Sequence, residues 1–297
     1  HHPMKPRRPR FSGHQTFSFR YGWLEKGYRH IYAGKNFSDA DAIVHLGVGK
    51  NMVESIRYWC DVFGLATEET VTPFANSLLS PLTGWDPYIE DDATLWLLHW
   101  KLCSQQLFMN ATTLLFGEMH KQEFDRQEWL ELLRQRNSQN EGKTTSSSTL
   151  ERDIECCLKM YTPVKSSPAK RVLELSYACP FQELGMLSTM EGGSRVRFSI
   201  GPKSGLPPEV VGYAIVEYLQ HSQRSGIRLS ELMYADYAPG QIFMLDENSL
   251  VEAVMQLHQS DRWGSFFNLT ASEGIETVHC TLPNGDDLLK AYYNATE

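Results

Sequence analysis

The chain has 297 residues, 41% hydrophobic and 22% charged, enough to bury one large core or two modest ones, and two domains are expected. A net charge of -8 excludes a protein that coats nucleic acid over its whole surface, because such binding rests on Lys and Arg neutralising phosphates. No run approaches the roughly 20 apolar residues of a membrane helix, no apolar secretory segment stands near the start, and the six cysteines lack CxxC or Cys/His spacing, so a cytoplasmic protein with reduced thiols, no membrane association and no structural zinc is expected.

Taken in chain order, His1-His2-Pro3 ahead of Met4 reads as the remnant of an expression tag. Lys5-Pro6-Arg7-Arg8-Pro9-Arg10 is a basic arm that its prolines keep out of helix, so residues 1–10 form a flexible leader that either follows a DNA backbone or minor groove or keeps the chain soluble. Ser38 to Leu46 fits a short capped helix. Gly47-Val48-Gly49 then turns the chain into an amphipathic helix from Lys50 to Phe63. Its buried stripe is Met52, Val53, Ile56, Trp59, Cys60 and Phe63, and its open face carries Lys50, Asn51, Glu54, Arg57 and Tyr58. Two short helices around a glycine turn are the layout of a helix-turn-helix, and equally of a packed helical hairpin. Val71 to Leu82 is expected as the wing of this module, with Pro73 and Pro81 confining its strands to edges.

A helix starting at Asp91 or Asp92 carries Ala93, Leu95, Trp96, Leu97, Leu98, Trp100 and Leu102; apolar almost all round, it reads as the centre of a first domain over 11–136. Phe124 to Arg136 is a further helix, and the polar stretch 137–149 is the expected linker to a second domain over 150–297. There Leu150 to Tyr161 is helical, Lys165 to Ala169 breaks the chain, Val196 to Ile200 is a strand, and Pro208 opens a helix towards Gln220. Leu229 to Tyr234 and a helix capped by Asp246 precede two strands, Trp263 to Leu269 and Ile275 to Leu282, which is the winged-helix order of elements. The expected fold is mainly α with small β hairpins, in two domains with winged-helix-like modules.

Asp86, Glu90, Asp91 and Asp92 are the only dense carboxylate group beside an expected core helix. A metal-dependent nuclease needs such a group to hold Mg2+ or Mn2+, with Asp86 and Glu90 the candidate ligands and catalytic carboxylates, whereas carboxylates at a helix start also cap free N–H groups. His14, in a loop between aromatic residues, has the chemistry of a metal ligand, a general base or a phosphate contact; a satisfied structural histidine fits the same pattern, and so it does for His99 on its apolar helix. The glycines at 47 and 49 lack P-loop spacing, and no Gly-x-Ser-x-Gly elbow, His-Glu-x-x-His or dinucleotide fingerprint is present.

The blocks Phe11-Ser12-Gly13-His14-Gln15-Thr16-Phe17, then Arg20, Trp23-Leu24 and Lys26-Gly27, then Leu46 to Trp59, then Asp86 to Trp100, resemble a bacterial family of formerly unknown function whose members occur with DNA phosphorothioation machinery. The resemblance implies a protein of a modification and anti-phage defence system that engages double-stranded DNA, nicks one strand and gives sulfur-inserting partners access to the backbone. Those partners would be a cysteine desulfurase, an ATPase and a sulfur-transfer enzyme. On a docked helix Lys50 and Arg57 would meet phosphates or base edges, Asn51 would pair with adenine, and Arg20 would add a backbone contact. Two rival readings remain: a non-catalytic DNA-binding adaptor or regulator, and a protein-interaction scaffold.

Overall fold

The computed structural model describes residues 7–15, 17–139, 142, 144–163 and 178–294. Lys5, Pro6 and Thr16, and the expected break over Lys165 to Ala169, lie outside the described residues. The described chain is mainly helical with small sheets, as expected, and none of its helices is long and apolar enough to cross a membrane. It forms two compact units that interleave along the sequence. The first takes the described residues of 1–88, 104–115 and 121–199, and the second those of 89–103, 116–120 and 200–297.

In the first unit, β1 (Arg8–Pro9) precedes α1 (Trp23–Tyr32), which buries Trp23, Leu24, Tyr28 and Ile31 at helical spacing. α2 (Ala42–Leu46) is shorter than Ser38 to Leu46, since Ser38 to Asp41 form turns; Gly47 ends it in the left-handed region at φ 68°. α3 (Lys50–Val62) follows as expected. Its buried side is wider than the expected stripe, because Ser55, Tyr58 and Val62 extend it, and Tyr58 therefore leaves the open face. The expected wing over Val71 to Leu82 is absent. The strands are β2 (Ala66–Thr67) and β3 (Thr70–Val71), and Thr72 then caps α4 (Pro73–Leu79) through Ala75 N, with Pro73 at the first helical position where its missing N–H costs nothing.

α5 (Asp92–Ser104) is buried at every residue from Ala93 to Trp100. It belongs to the second unit rather than to the centre of the first. Its polar groups show why: the Trp96 indole N–H donates to Ser204 O at 3.0 Å, the Trp100 indole to Glu217 Oε1 at 2.9 Å, and Thr94 and Tyr293 share a hydroxyl bond of 2.6 Å. A helix apolar on all sides announces burial but not its partner.

β4 (Phe108–Met109) pairs in parallel with β1, and α6 (Ala111–Glu118) follows. β5 (Glu123–Asp125) runs directly into α7 (Arg126–Ser138), which opens with a capping box between Asp125 and Glu128. Ser146 caps α8 (Ser147–Tyr161), and α7 and α8 pack on each other. The polar stretch expected to divide two domains thus connects two packed helices of one unit; residues 140, 141 and 143 of it lie outside the described residues. Its serines and threonines suit a helix start as well as a linker. β6 (Leu187–Met190) and β7 (Arg195–Phe198) complete an antiparallel sheet of order β5-β7-β6.

The second unit repeats this order. α9 (Pro208–Ser222) precedes β8 (Gly226–Arg228), which runs directly into α10 (Leu229–Tyr234). A short α11 (Pro239–Ile242) leads to α12 (Glu247–Gln259), capped by Asp246 through Ser249 N as expected. β9 (Phe267–Ser272) and β10 (Ile275–Cys280) close a sheet of order β8-β10-β9, with Glu273-Gly274 at positive φ in the turn, and α13 (Asp286–Asn294) ends the described chain. In both units the third strand lies between the first two.

Candidate functional site

The N-terminal segment is fastened to α3. β1 fixes Arg8 and Pro9, and the Arg10 guanidinium lies 4.9 Å from the Tyr58 ring centroid and 4.8 Å from that of Phe108, with Nη1 3.1 Å from Asp61 Oδ2. Tyr58 donates its hydroxyl to Arg10 O at 3.1 Å and accepts from Asn110 Nδ2 at 3.0 Å, which satisfies the phenol that the helix periodicity alone would have left outside. Lys50 and Asn51 are exposed in the first turn of α3. Arg57, two turns on, lies on the same face as Lys50, its Nε 3.8 Å from Glu69 Oε1. Arg20 lies over the rings of Phe17 and Trp23 at 5.6 and 5.1 Å.

His14 is buried to 2% exposure, stacked on Trp59, with Nε2 2.7 Å from Asp153 Oδ1. The same Asp153 accepts from Ser12 N at 2.9 Å and from Ala111 N at 2.6 Å, so one carboxylate on α8 holds the N-terminal loop and the start of α6. His99 is likewise buried, Nε2 2.8 Å from Ile242 O, and burial lowers its pKa to about 4.

The acidic residues are divided between the two units. Asp86 is buried in the first unit, whereas Glu90, Asp91 and Asp92 belong to the second. Asp91 Oδ1 accepts from Ala93 N at 2.9 Å and its carboxylate receives the Tyr292 hydroxyl at 2.9 and 3.1 Å, while Asp92 opens α5 and lies against Gly205. Glu90 is exposed. Within reach of the Asp86 charge in the same unit is a residue the periodicity does not pick out: Glu25, 9% exposed on α1, whose pKa burial raises to about 7, with Arg29 opposing and the Asp86 charge adding to the rise. The only signal for it is position, three residues before the buried Tyr28.

Among the described residues no group of three or more His, Cys, Asp or Glu side chains is arranged to hold a metal ion. Mg2+ manages with one or two carboxylates when water completes its octahedron, so Glu25 and Asp86 are enough in number. Both are buried, which limits the water that could complete such a shell.

Two solved structures are similar to this chain over most of their length. A magnesium ion-bound SspB crystal structure is 27% identical, with a TM-score of 0.85 over 97% of this chain and 89% of that one. An SspB crystal structure is also 27% identical, with a TM-score of 0.82 over 97% and 90%. No curated protein matches the chain. The model of a protein family of unknown function, DUF4007, matches residues 11–293, and the chain belongs to that family.

Proposed function

We propose that this chain is a DNA-binding, strand-nicking component of a bacterial DNA phosphorothioate modification and defence system. The observation that carries the reading is likeness to SspB at 27% identity over 97% of the chain, which joins the motif resemblance in the first hundred residues. Both helix-strand-helix-helix-hairpin modules, each with its third strand central, have the element order of winged helices, and the first, in the charge-balanced part of the chain, supports DNA engagement. Lys50, Asn51 and Arg57 are the proposed contacts, with Arg20 on the backbone, and the partners are the sulfur-inserting enzymes of the system. A divalent ion enters this reading from the magnesium-bound neighbour alone.

The test is purified protein with supercoiled plasmid, with and without Mg2+ or Mn2+. Open circles are the expected product, and Asp86→Asn or Glu90→Gln should abolish them with helix content and DNA affinity kept. Asp91→Asn and Asp92→Asn are the controls, because asparagine still caps a helix. Persistent nicking in all four variants would remove these carboxylates from the reaction. The second reading, a non-catalytic DNA-binding adaptor, is favoured by the use of Asp91 in capping and in the bond to Tyr292. It predicts salt-dependent duplex binding with no open circles in either metal.

A further inference from the structure

The two modules share one order of elements and differ in charge. Residues 200–297 carry five Lys and Arg against thirteen Asp and Glu, a net of -8 equal to that of the whole chain, whereas residues 1–199 carry twenty-three of each. In the first module the third helix, α8, carries Arg152 and Lys159 among Glu151, Asp153 and Glu155, and the hairpin strand β7 bears Arg195 and Arg197, which share a single carboxylate, Glu123, at 3.8 and 3.3 Å. In the second, α12 exposes Glu247 and Glu252 and contains neither Lys nor Arg. The same holds for β9 to β10, whose turn and second strand carry Glu273 and Glu276. A phosphate backbone is held by cations, so a helix and hairpin that present only carboxylates would be repelled from it.

Beside α12 lies a cleft of ≈ 230 Å³ with Leu206, Val211, Leu245 and Ala253 in its lining and Ser249 and Glu252 along the helix edge. It is smaller than the roughly 300 Å³ at which pockets for drug-sized ligands begin, and fits one inserted side chain better than a free metabolite. Lys203 also lines it, but its Nζ donates to Gly201 O at 3.1 Å and Asp246 supplies a neighbouring negative charge.

We propose that the second module docks a partner protein along α12, through a Lys/Arg-rich segment that inserts one apolar side chain into this cleft, and takes no part in DNA contact. Charge complementarity names the occupant, and the cleft supplies what charge alone lacks, a shaped seat for an anchor. The proposal rests on the geometry of the second unit and stands whether or not the protein nicks DNA.

Fluorescence anisotropy of the full chain with two short labelled peptides, one carrying a leucine flanked by arginines and the other serine in place of that leucine, tests it. The leucine peptide should bind about tenfold more tightly than the serine peptide, and Glu252→Lys should weaken it by about tenfold. Asp261→Lys makes the same charge change away from the cleft and should alter binding by less than about twofold. Equal binding of the two peptides, equal losses in the two variants or no binding of the leucine peptide would overturn the proposal. So would a change of more than about twofold in duplex affinity, measured without peptide, on Glu252→Ala, which would make the α12 face a nucleic-acid surface.

Discussion

Glu25 gives the protein a pH dependence whose sign follows from its environment. Its folded pKa, about 7, lies above the ordinary 4.5, so the folded state holds the proton more tightly than the unfolded one. The associated stability is complete below pH 4.5 and lost as pH rises through 7, with a ceiling of about 3 kcal/mol. Glu25→Gln, which mimics the neutral form, should therefore leave stability almost unchanged at pH 4.5 and raise it at pH 8, read by urea denaturation at each pH. His99 acts in the opposite sense. Its pKa falls to about 4, so its contribution is present above pH 6.5 and lost as pH falls through 4. Asp153 is the other residue on which much depends. Asp153→Asn turns an acceptor for three donors into a group that aims its own N–H at one of them, and should cost about 3 kcal/mol in the same assay.

At the scale of elements, α3 carries the sharpest test of DNA contact. Replacing Lys50 and Arg57 with alanine should weaken duplex binding and reduce the salt slope by about one unit for each phosphate no longer neutralised, with circular dichroism unchanged. Arg57 is half exposed and 3.8 Å from Glu69, so its loss should cost the fold well under about 1 kcal/mol. Unchanged binding would remove α3 from the interface. The helix itself was legible because Val53, Ile56, Trp59 and Cys60 repeat at three and four residues, and α12 because Asp246 stands directly before such a repeat. The expected wing after β3 gives way to α4 because a threonine immediately before a proline starts a helix as readily as Pro73 marks a strand edge. Glu25 and Tyr58 could not be placed by periodicity. Each is a polar-headed residue on the buried side: Asn110 and Arg10, distant in sequence, hold Tyr58, while Glu25 is buried with Arg29 one turn on along α1 and Asp86 distant in sequence.

At the scale of the whole molecule, the sequence predicted two bodies meeting at a polar linker, and the chain instead crosses between its units near residues 89, 104, 116, 121 and 200. Composition marks where a chain is solvated, not which segments return to complete a core, so the interleaving left no local signal. It has a measurable effect on dissection. Cleavage within 137–148 should leave two fragments that co-elute in gel filtration, because α7 and α8 remain packed and Asp153 still binds Ser12 and Ala111. Residues 150–297 expressed alone should fail to give a cooperative transition, lacking Trp96, Trp100 and the rest of α5.

The same helix sets the order of events during synthesis. α5 leaves the ribosome with apolar groups on every side, yet Ser204, Glu217 and Ile242, which receive its indole and imidazole groups, are made 108, 117 and 143 residues later. At about 5–20 residues per second that is roughly 5–30 s in which a helix fit only for an interior has none, so nascent chains stalled before residue 200 are where chaperones should be found.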